Sequence, residues 1–290
     1  MARARDGVWG ALVVVAAACG FDGVGTAPGG APSDGGVPEG SPSPIEPPTD
    51  AGPQEDADAD AGVCHDPALR FEGRNDAIVP HAPALDLVGP FTVEAWIRPD
   101  LATIGEEQQI LSHHQHDDGG WVLLVRNRRI EMRLYGRSSI AVGVLESYFA
   151  GNAGNAYVMG DRWAHVAGVY DGTTLAVYYA GARRHTLQPT SFSYRTYGGD
   201  AHVGRAAYTD NFYFRGLIDE VRVSSAARYT TEAIAVPTAP FAVDGTTVGL
   251  WHFDEPSGNT IVDATTAHPG AFAAGAEPIR VLDAPCIDAR

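Results

Sequence analysis

RWAHVAGVYDGTTLAVYYAG (162–181) decides the fold of this chain. Two runs of β-branched and aromatic residues flank Asp171-Gly172, a pair that favours a tight hairpin turn. The stretch reads as two antiparallel strands. On a period of two, Trp163, His165, Ala167 and Val169 share one face, and Leu175, Val177 and Tyr179 share a face of the next strand. Both faces are expected to look into a core, with Trp163 as its large anchor.

Three more stretches repeat the pattern: LRFEGRNDAIVP (69–80), FTVEAWIRPD (91–100) and FRGLIDEVRVSSAARY (214–229). Phe91, Val93, Ala95 and Ile97 alternate with Thr92, Glu94, Trp96 and Arg98. Strand-like runs also occupy 108–113, 120–126, 129–135, 139–145, 200–204, 212–223 and 247–253. No long window keeps a helical period, and Ser224–Ile234 has room for one helical turn. Many short strands closed by Gly, Asn, Asp and Pro predict an all-β protein, a two-sheet antiparallel jelly-roll sandwich. Phe71, Phe91, Val93, Ile97, Leu217 and Val221 are expected between the sheets.

The chain has 290 residues and a net charge of −16. So acidic a surface repels phosphate backbones, which argues against nucleic acid as a partner. The charge is uneven. Residues 20–62 hold nine acidic side chains, eight prolines and no Lys, Arg or His. That composition cannot bury enough apolar surface to offset the entropy of ordering. The expected organisation is a signal peptide over 1–18, a disordered linker over 19–62 and one jelly-roll domain over 63–290.

The signal peptide rests on Arg3 and Arg5 followed by the apolar run Val8–Ala18, too short to cross a bilayer. Ala16-Ala17-Ala18-Cys19 resembles a bacterial lipoprotein cleavage box, which predicts acylation of Cys19. An ordinary signal peptide, cut at an A-x-A-like site, is the alternative. The cysteines favour the lipoprotein: with Cys19 lipidated, Cys64 and Cys286 remain as one pair in an oxidising compartment. They are expected to form a disulfide, and the protein to sit at the outer membrane or cell surface, touching the membrane through its lipid only.

Several motifs resemble those of LamG-like jelly-roll modules in the concanavalin A-like lectin and glucanase superfamily. Phe71-Glu72-Gly73 with Asp76 is similar to the family's F-D/E-G-x-x-D turn. Phe91-Thr92-Val93-Glu94-Ala95-Trp96 is similar to its F-T-x-x-x-W strand, and Trp163-Ala164-His165-Val166-Ala167 to its W-x-H-V-A strand. Gly216-Leu217-Ile218-Asp219-Glu220-Val221-Arg222 resembles G-x-I-D-E-V-R, and Trp251-His252-Phe253-Asp254-Glu255 with Gly258 and Asp263 resembles a W-x-F-D-E-x-x-G…D segment. The resemblance covers roughly 66–275. It implies a concanavalin A-like sandwich and, for function, one of many binding roles.

Three sets of residues carry possible chemistry. Asp219 shares a strand face with Leu217, Val221 and Val223, so its carboxylate needs a partner. Either turn N–H groups satisfy it, or it binds calcium together with Asp76 through hard oxygen ligands; the resemblance mildly supports calcium. The histidines of HHQHDDGG (113–120) either sit in a solvated hairpin loop or bind zinc or copper. Tyr194, Tyr197, Tyr208, Phe212, Tyr213 and Phe214 either pack over the sheet or stack on sugars. A glycosidase of this superfamily uses an E-x-D-x-E strand, whose alternate carboxylates share a face; none occurs here, and neither does G-x-S-x-G, H-E-x-x-H or a P-loop. The leading reading is a non-catalytic module that meets glycan or protein ligands through the sandwich loops. A structural or assembly lipoprotein without a small ligand is the second reading, and a polysaccharide hydrolase the third.

Overall fold

The computed structural model describes residues 67–115, 118–136, 145–146, 160–188, 194–273 and 275–283. The signal peptide, the linker, Cys19, Cys64 and Cys286 lie outside them. The described residues form two antiparallel sheets, as the alternation predicts. The first holds β1 (Pro67–Glu72), β3 (Phe91–Pro99), β8 (Ala164–Tyr170), β9 (Leu175–Tyr179), β10 (Ala182–Leu187), β12 (Arg215–Ser224), β13 (Thr247–Trp251) and β16 (Ile279–Leu282). The second holds β2 (Ala77–Val79), β4 (Gln108–Gln115), β5 (Gly119–Arg126), β6 (Arg129–Tyr135), β7 (Leu145–Glu146), β11 (Ala201–Val203), β14 (Thr260–Ile261) and β15 (Gly270–Phe272).

The order of the first sheet is β10-β9-β8-β3-β12-β1-β16, and β13 also pairs with β12. The order of the second is β14-β15-β2-β11-β4-β5-β6-β7. One core fills the space between them. Phe71, Phe91, Val93, Ile97, Ile218, Val221 and Val223 enter from the first sheet; Trp121, Leu123, Ile130, Met132 and Leu134 enter from the second. The hairpin at 171–174 forms as read, with Tyr170 opposite Leu175 and Val166 opposite Tyr179. Asp171 closes it by accepting from the backbone N–H groups of Thr173 (2.8 Å) and Thr174 (2.6 Å).

Two expectations about faces are corrected. On β8 it is Ala164 and Val166 that enter the core, while Ala167 and Val169 look outward and His165 bonds to Glu94 on that outer side. Trp163 is half-buried beside Trp96, Phe241 and Leu250, outside the core. The reason is a strap, residues 225–246, that runs across the outer side of the first sheet. Its Ala227, Tyr229 and Ile234 pack on Ala167, Val169, Ala176 and Tyr178. It carries no helix: Ser224–Ile234 is extended and bent. Tyr178 donates to the carbonyl of Thr231 (2.9 Å), and the N–H of Ile234 to that of Gly181 (2.8 Å). A strand buried on both sides is apolar on both, so period two cannot tell inside from outside.

The second correction concerns β12. Asp219 pairs with Trp96 but Arg222 with Glu94, so β12 carries one residue more than β3 at this point. Glu220, at φ 51°, absorbs the extra residue as a β-bulge. Alternation breaks there. Ile218, Val221 and Val223 face the core, and Leu217 does not. The bulge also marks where the neighbour of β12 changes from β1, paired up to Ile218, to β13, paired from Val221.

Candidate ligand-binding cleft

The motif residues converge on the outer side of the first sheet. Glu94 is buried and accepts from His165 Nε2 (3.0 Å), Arg222 Nε (2.8 Å) and Tyr229 Oη (2.7 Å). Burial pushes its carboxyl up, but the hydrogen bond and charge of His165, with Arg222 and Tyr229, hold it below the ordinary value. Glu220 accepts from the N–H of Phe241 (2.7 Å) and lies 2.6 Å from His252 Nδ1. Asp263 gathers the backbone N–H groups of Leu250, Thr265, Ala267 and His268. These groups fasten the strap and the 252–268 segment to the sheet.

The structure does not bring Asp76 and Asp219 together. Along the β1–β12 ladder Leu69 faces Ile218 and Glu72 faces Arg215. Asp219 therefore lies past one end of that ladder and Asp76 past the other. Asp76 leads into β2 of the second sheet, where His202 Nδ1 (2.6 Å) and Arg205 Nε (3.1 Å) contact its carboxylate. Burial raises the Asp76 carboxyl, and the His202 hydrogen bond and Arg205 charge outweigh it and lower it. Arg205 and Asp76 form an ion pair there. Among the described residues no group of three or more His, Cys, Asp or Glu could hold a metal ion.

Of the histidine stretch, His116 and Asp117 lie outside the described residues, and the rest is not a solvated loop. His113 and His114 lie within β4, both buried and facing opposite ways. His114 stacks on Tyr135 (centroids 4.5 Å) on the outer side. His113 points inward between Trp121 (5.6 Å) and Tyr197 (5.4 Å). Burial pushes its imidazole down to about 4, against the pull of the Asp86 carboxylate 3.8 Å away. Gly119 and Gly120 are packed in as well. A Cβ on Gly119 would collide with the Thr196 carbonyl, and one on Gly120 with that of His113. Residues 194–196 can therefore lie against the end of β5, where the N–H of Gly120 donates to the Arg195 carbonyl (2.8 Å).

That close approach shapes one wall of a cleft of about 380 Å³ at the loop end of the sandwich. Its lining is Val88, Asp118, Tyr170, Tyr194, Arg195 and Thr196. Tyr170 and Tyr194 stand 6.3 Å apart and both lean on Phe91, at 5.9 Å and 6.2 Å. Val88 is 80% exposed at the rim. Tyr194 Oη is buried and has no hydrogen-bond partner among the described residues. A second cleft of about 280 Å³, lined by His252, Asp254, Glu255, Val262 and Ala264, is smaller and more apolar. Ligand pockets run from about 300 to 1,000 Å³ with a few convergent polar groups, so the first is the better candidate.

Of the aromatic run, Tyr194 alone lines this cleft. Phe214 is in the core against Phe71, and Tyr208 packs edge-on to His114. Tyr170 lies in the hairpin stretch, which is read for its turn and not for binding; Arg195, Thr196 and Val88 carry no motif, and no spacing in the sequence joins the four.

Residues 72–235 match the Laminin_G_3 family of the concanavalin A-like lectin/glucanases superfamily. The chain belongs to that family. Among solved structures, a candidate carbohydrate-binding protein from Bacteroides ovatus is similar at 20% identity and TM-score 0.53, covering 76% of this chain. This chain spans 61% of that protein's length. The Ruminococcus gnavus IT-sialidase CBM40 bound to α2,3-sialyllactose is similar at 15% identity and TM-score 0.44, over 56% of this chain and 91% of that one. Domains LG4-5 of the mouse laminin α1 chain are similar at 14% identity and TM-score 0.41, over 57% and 44%. No curated protein matches.

Proposed function

We propose that this chain is a non-catalytic glycan-binding module working through the loop-end cleft, exported and held at the bacterial outer membrane or cell surface by a lipid on Cys19. The observation that carries the reading is the pairing of two tyrosine rings with Arg195 and Asp118 in one open cleft. Aromatic faces stack on the apolar faces of sugar rings, and the charged tips exchange hydrogen bonds with hydroxyls. Membership in a lectin and glucanase superfamily agrees with a sugar ligand. Against catalysis, Glu220 is bonded to Phe241 and His252 on the strap side, away from the cleft.

The proposed bridge between Cys64 and Cys286 gains support from the pairing of β1 with β16. Pro67, three residues after Cys64, faces Leu282, four residues before Cys286. A glycan array with the wild type and Tyr170→Ala tests the reading: the wild type is expected to retain glycans and the variant to lose them. No turnover of the same polysaccharides is expected, and measurable release of sugar would establish a hydrolase instead. Cys19→Ser is expected to move the protein to soluble fractions.

A further inference from the structure

We infer that residues 194–200 form an acid-released wall of the loop-end cleft and that His113 is the trigger. The inference goes beyond the glycan reading and holds whatever ligand the cleft takes. The wall is one continuous stretch. Tyr194, Arg195 and Thr196 line the cleft, and Tyr197 and Asp200 carry the chain on over His113 and His81. Hydrogen bonds fasten it to the sandwich. The N–H of Gly120 donates to the Arg195 carbonyl (2.8 Å), that of Arg195 to the Tyr135 carbonyl (3.3 Å), and that of His81 to Asp200 Oδ1 (2.8 Å). Tyr194 leans on Phe91, and the Tyr197 ring stands edge-on to His113. Among the described residues no ion pair holds this stretch, in contrast to the Arg228–Asp244 pair of the strap.

His113 lies beneath this stretch, fully buried in β4. A phenyl ring would pack on Trp121 and Tyr197 as well and would bury no polar atom; the imidazole buries two without a well-formed hydrogen bond. Such groups call for an explanation, and a buried histidine under a thinly attached segment gives two charge states to two positions of that segment. Three charged or titratable groups act on the ring. Asp86 Oδ1 is 3.8 Å from Nε2, and the other oxygen of Asp86 is 3.0 Å from His81 Nε2. The His81 ring lies parallel to His113 at 6.3 Å. Asp86 and Asp200 favour the imidazolium, as does the backbone of Gly199; burial and His81 oppose it, and burial prevails. Trp121 of β5 adds no charge, and Tyr197 stays a neutral phenol, raised by burial and by Asp200 and Asp118. The neutral ring suits the seated wall. The charged ring is accommodated when the wall lifts and water reaches it. Acid therefore favours release of 194–200, and Tyr194 and Arg195 leave the cleft with it. A ligand is held at neutral pH and let go in an acidic medium.

The test is native-state amide exchange of the full chain, followed by NMR at pH 7 and pH 5 and corrected for the intrinsic pH dependence of exchange. It needs no ligand, so its outcome is separate from that of the glycan array. The amides of Gly120 and Arg195, which tie the wall down, are compared with those of Val93 and Ala95 in β3, between β8 and β12. If the wall opens by itself, Gly120 and Arg195 are less protected than Val93 and Ala95, and sub-denaturing urea changes their exchange little, because lifting a short stretch exposes little surface. The His113 imidazole stands at about 4 under the wall and returns to 6.5 on release. Opening should then be about twentyfold more frequent at pH 5 than at pH 7, and the Gly120 and Arg195 amides should lose protection by that factor. In His113→Phe their protection should be the same at both pH values; His113→Leu makes the same comparison if the first variant does not fold. Gly120 and Arg195 amides with the protection and urea dependence of Val93 and Ala95 mean that the wall opens only when the sandwich unfolds, and overturn the inference. Wild-type protection unchanged at pH 5, or an equal fall in the variants, overturns it as well.

Discussion

The outer side of the first sheet and the loop end of the sandwich both bury polar side chains, and they treat them in opposite ways. Under the strap, Glu94 is matched by His165, Arg222 and Tyr229, and Glu220 by Phe241 and His252. Trp96 Nε1 and His165 Nδ1 are exceptions there. At the loop end, Tyr194 Oη, Asp86 Oδ1, Trp121 Nε1 and both nitrogens of His113 make no well-formed hydrogen bond among the described residues. The first region is closed on itself and holds the fold. The second keeps unused hydrogen-bonding capacity next to an open cleft. Buried polar atoms that a protein leaves unmatched deserve a functional explanation.

The contrast can be broken from either side. The largest effect is expected from Glu94→Ala, which strands the Arg222 guanidinium in a buried site and should cost about 3–5 kcal/mol. Chemical denaturation measures it; a loss below about 1 kcal/mol would mean that water reaches under the strap.

His113 gives the next largest effect. Its imidazole is held neutral, with its pKa lowered from 6.5 to about 4. On acidification the unfolded chain takes up this proton first, so stability falls as pH drops from about 6.5 to about 4. The full loss is roughly 3 kcal/mol. Asp86, His81 and Asp200 face the ring, and His113→Phe should keep the packing against Trp121 while flattening this part of the pH profile. An identical profile in the variant would place the acid lability elsewhere, with the paired carboxylates Asp76 and Glu94.

Trp163→Ala should cost less than deletion of a fully buried aromatic, roughly 1–3 kcal/mol. The residue covers Trp96 and Leu250 from outside and donates to the carbonyl of Asp283 (2.8 Å). A loss beyond about 4 kcal/mol would put it back in a core. The smallest effect is expected from Arg195→Gln, within about 0.5 kcal/mol in stability. A larger change would make Arg195 part of the scaffold and erase the distinction between the two regions.

The motifs legible in the sequence belong almost wholly to the closed region. Glu94 and Trp96, His165, Glu220 with Arg222, and Asp263 all fasten the strap and its neighbours. They satisfy the polar groups that the strap buries against the sheet in this chain. They do not point to the cleft. Val88, Asp118, Tyr170, Tyr194 and Arg195 come from four separate connections or strand ends. No local pattern ties them, because their geometry is fixed by which loops meet at one end of the sandwich. The face inversion on β8 has a related cause. Both sides of that strand are covered, one by the second sheet and one by the strap, and a binary pattern holds no information about which cover is which.

The sequence alone determined an all-β sandwich, the 171–174 hairpin and a net charge of −16. Alternation, turn residues and net charge are local or additive properties, and each can be read one segment at a time. The tertiary structure decided the rest. It set Asp76 against Arg205 rather than beside Asp219, turned Trp163 outward, placed the bulge at Glu220, and joined two tyrosines, an arginine and an aspartate in one cleft. Those outcomes depend on contacts between residues far apart in the chain, whose free energies exist only once both sheets and the strap are in place.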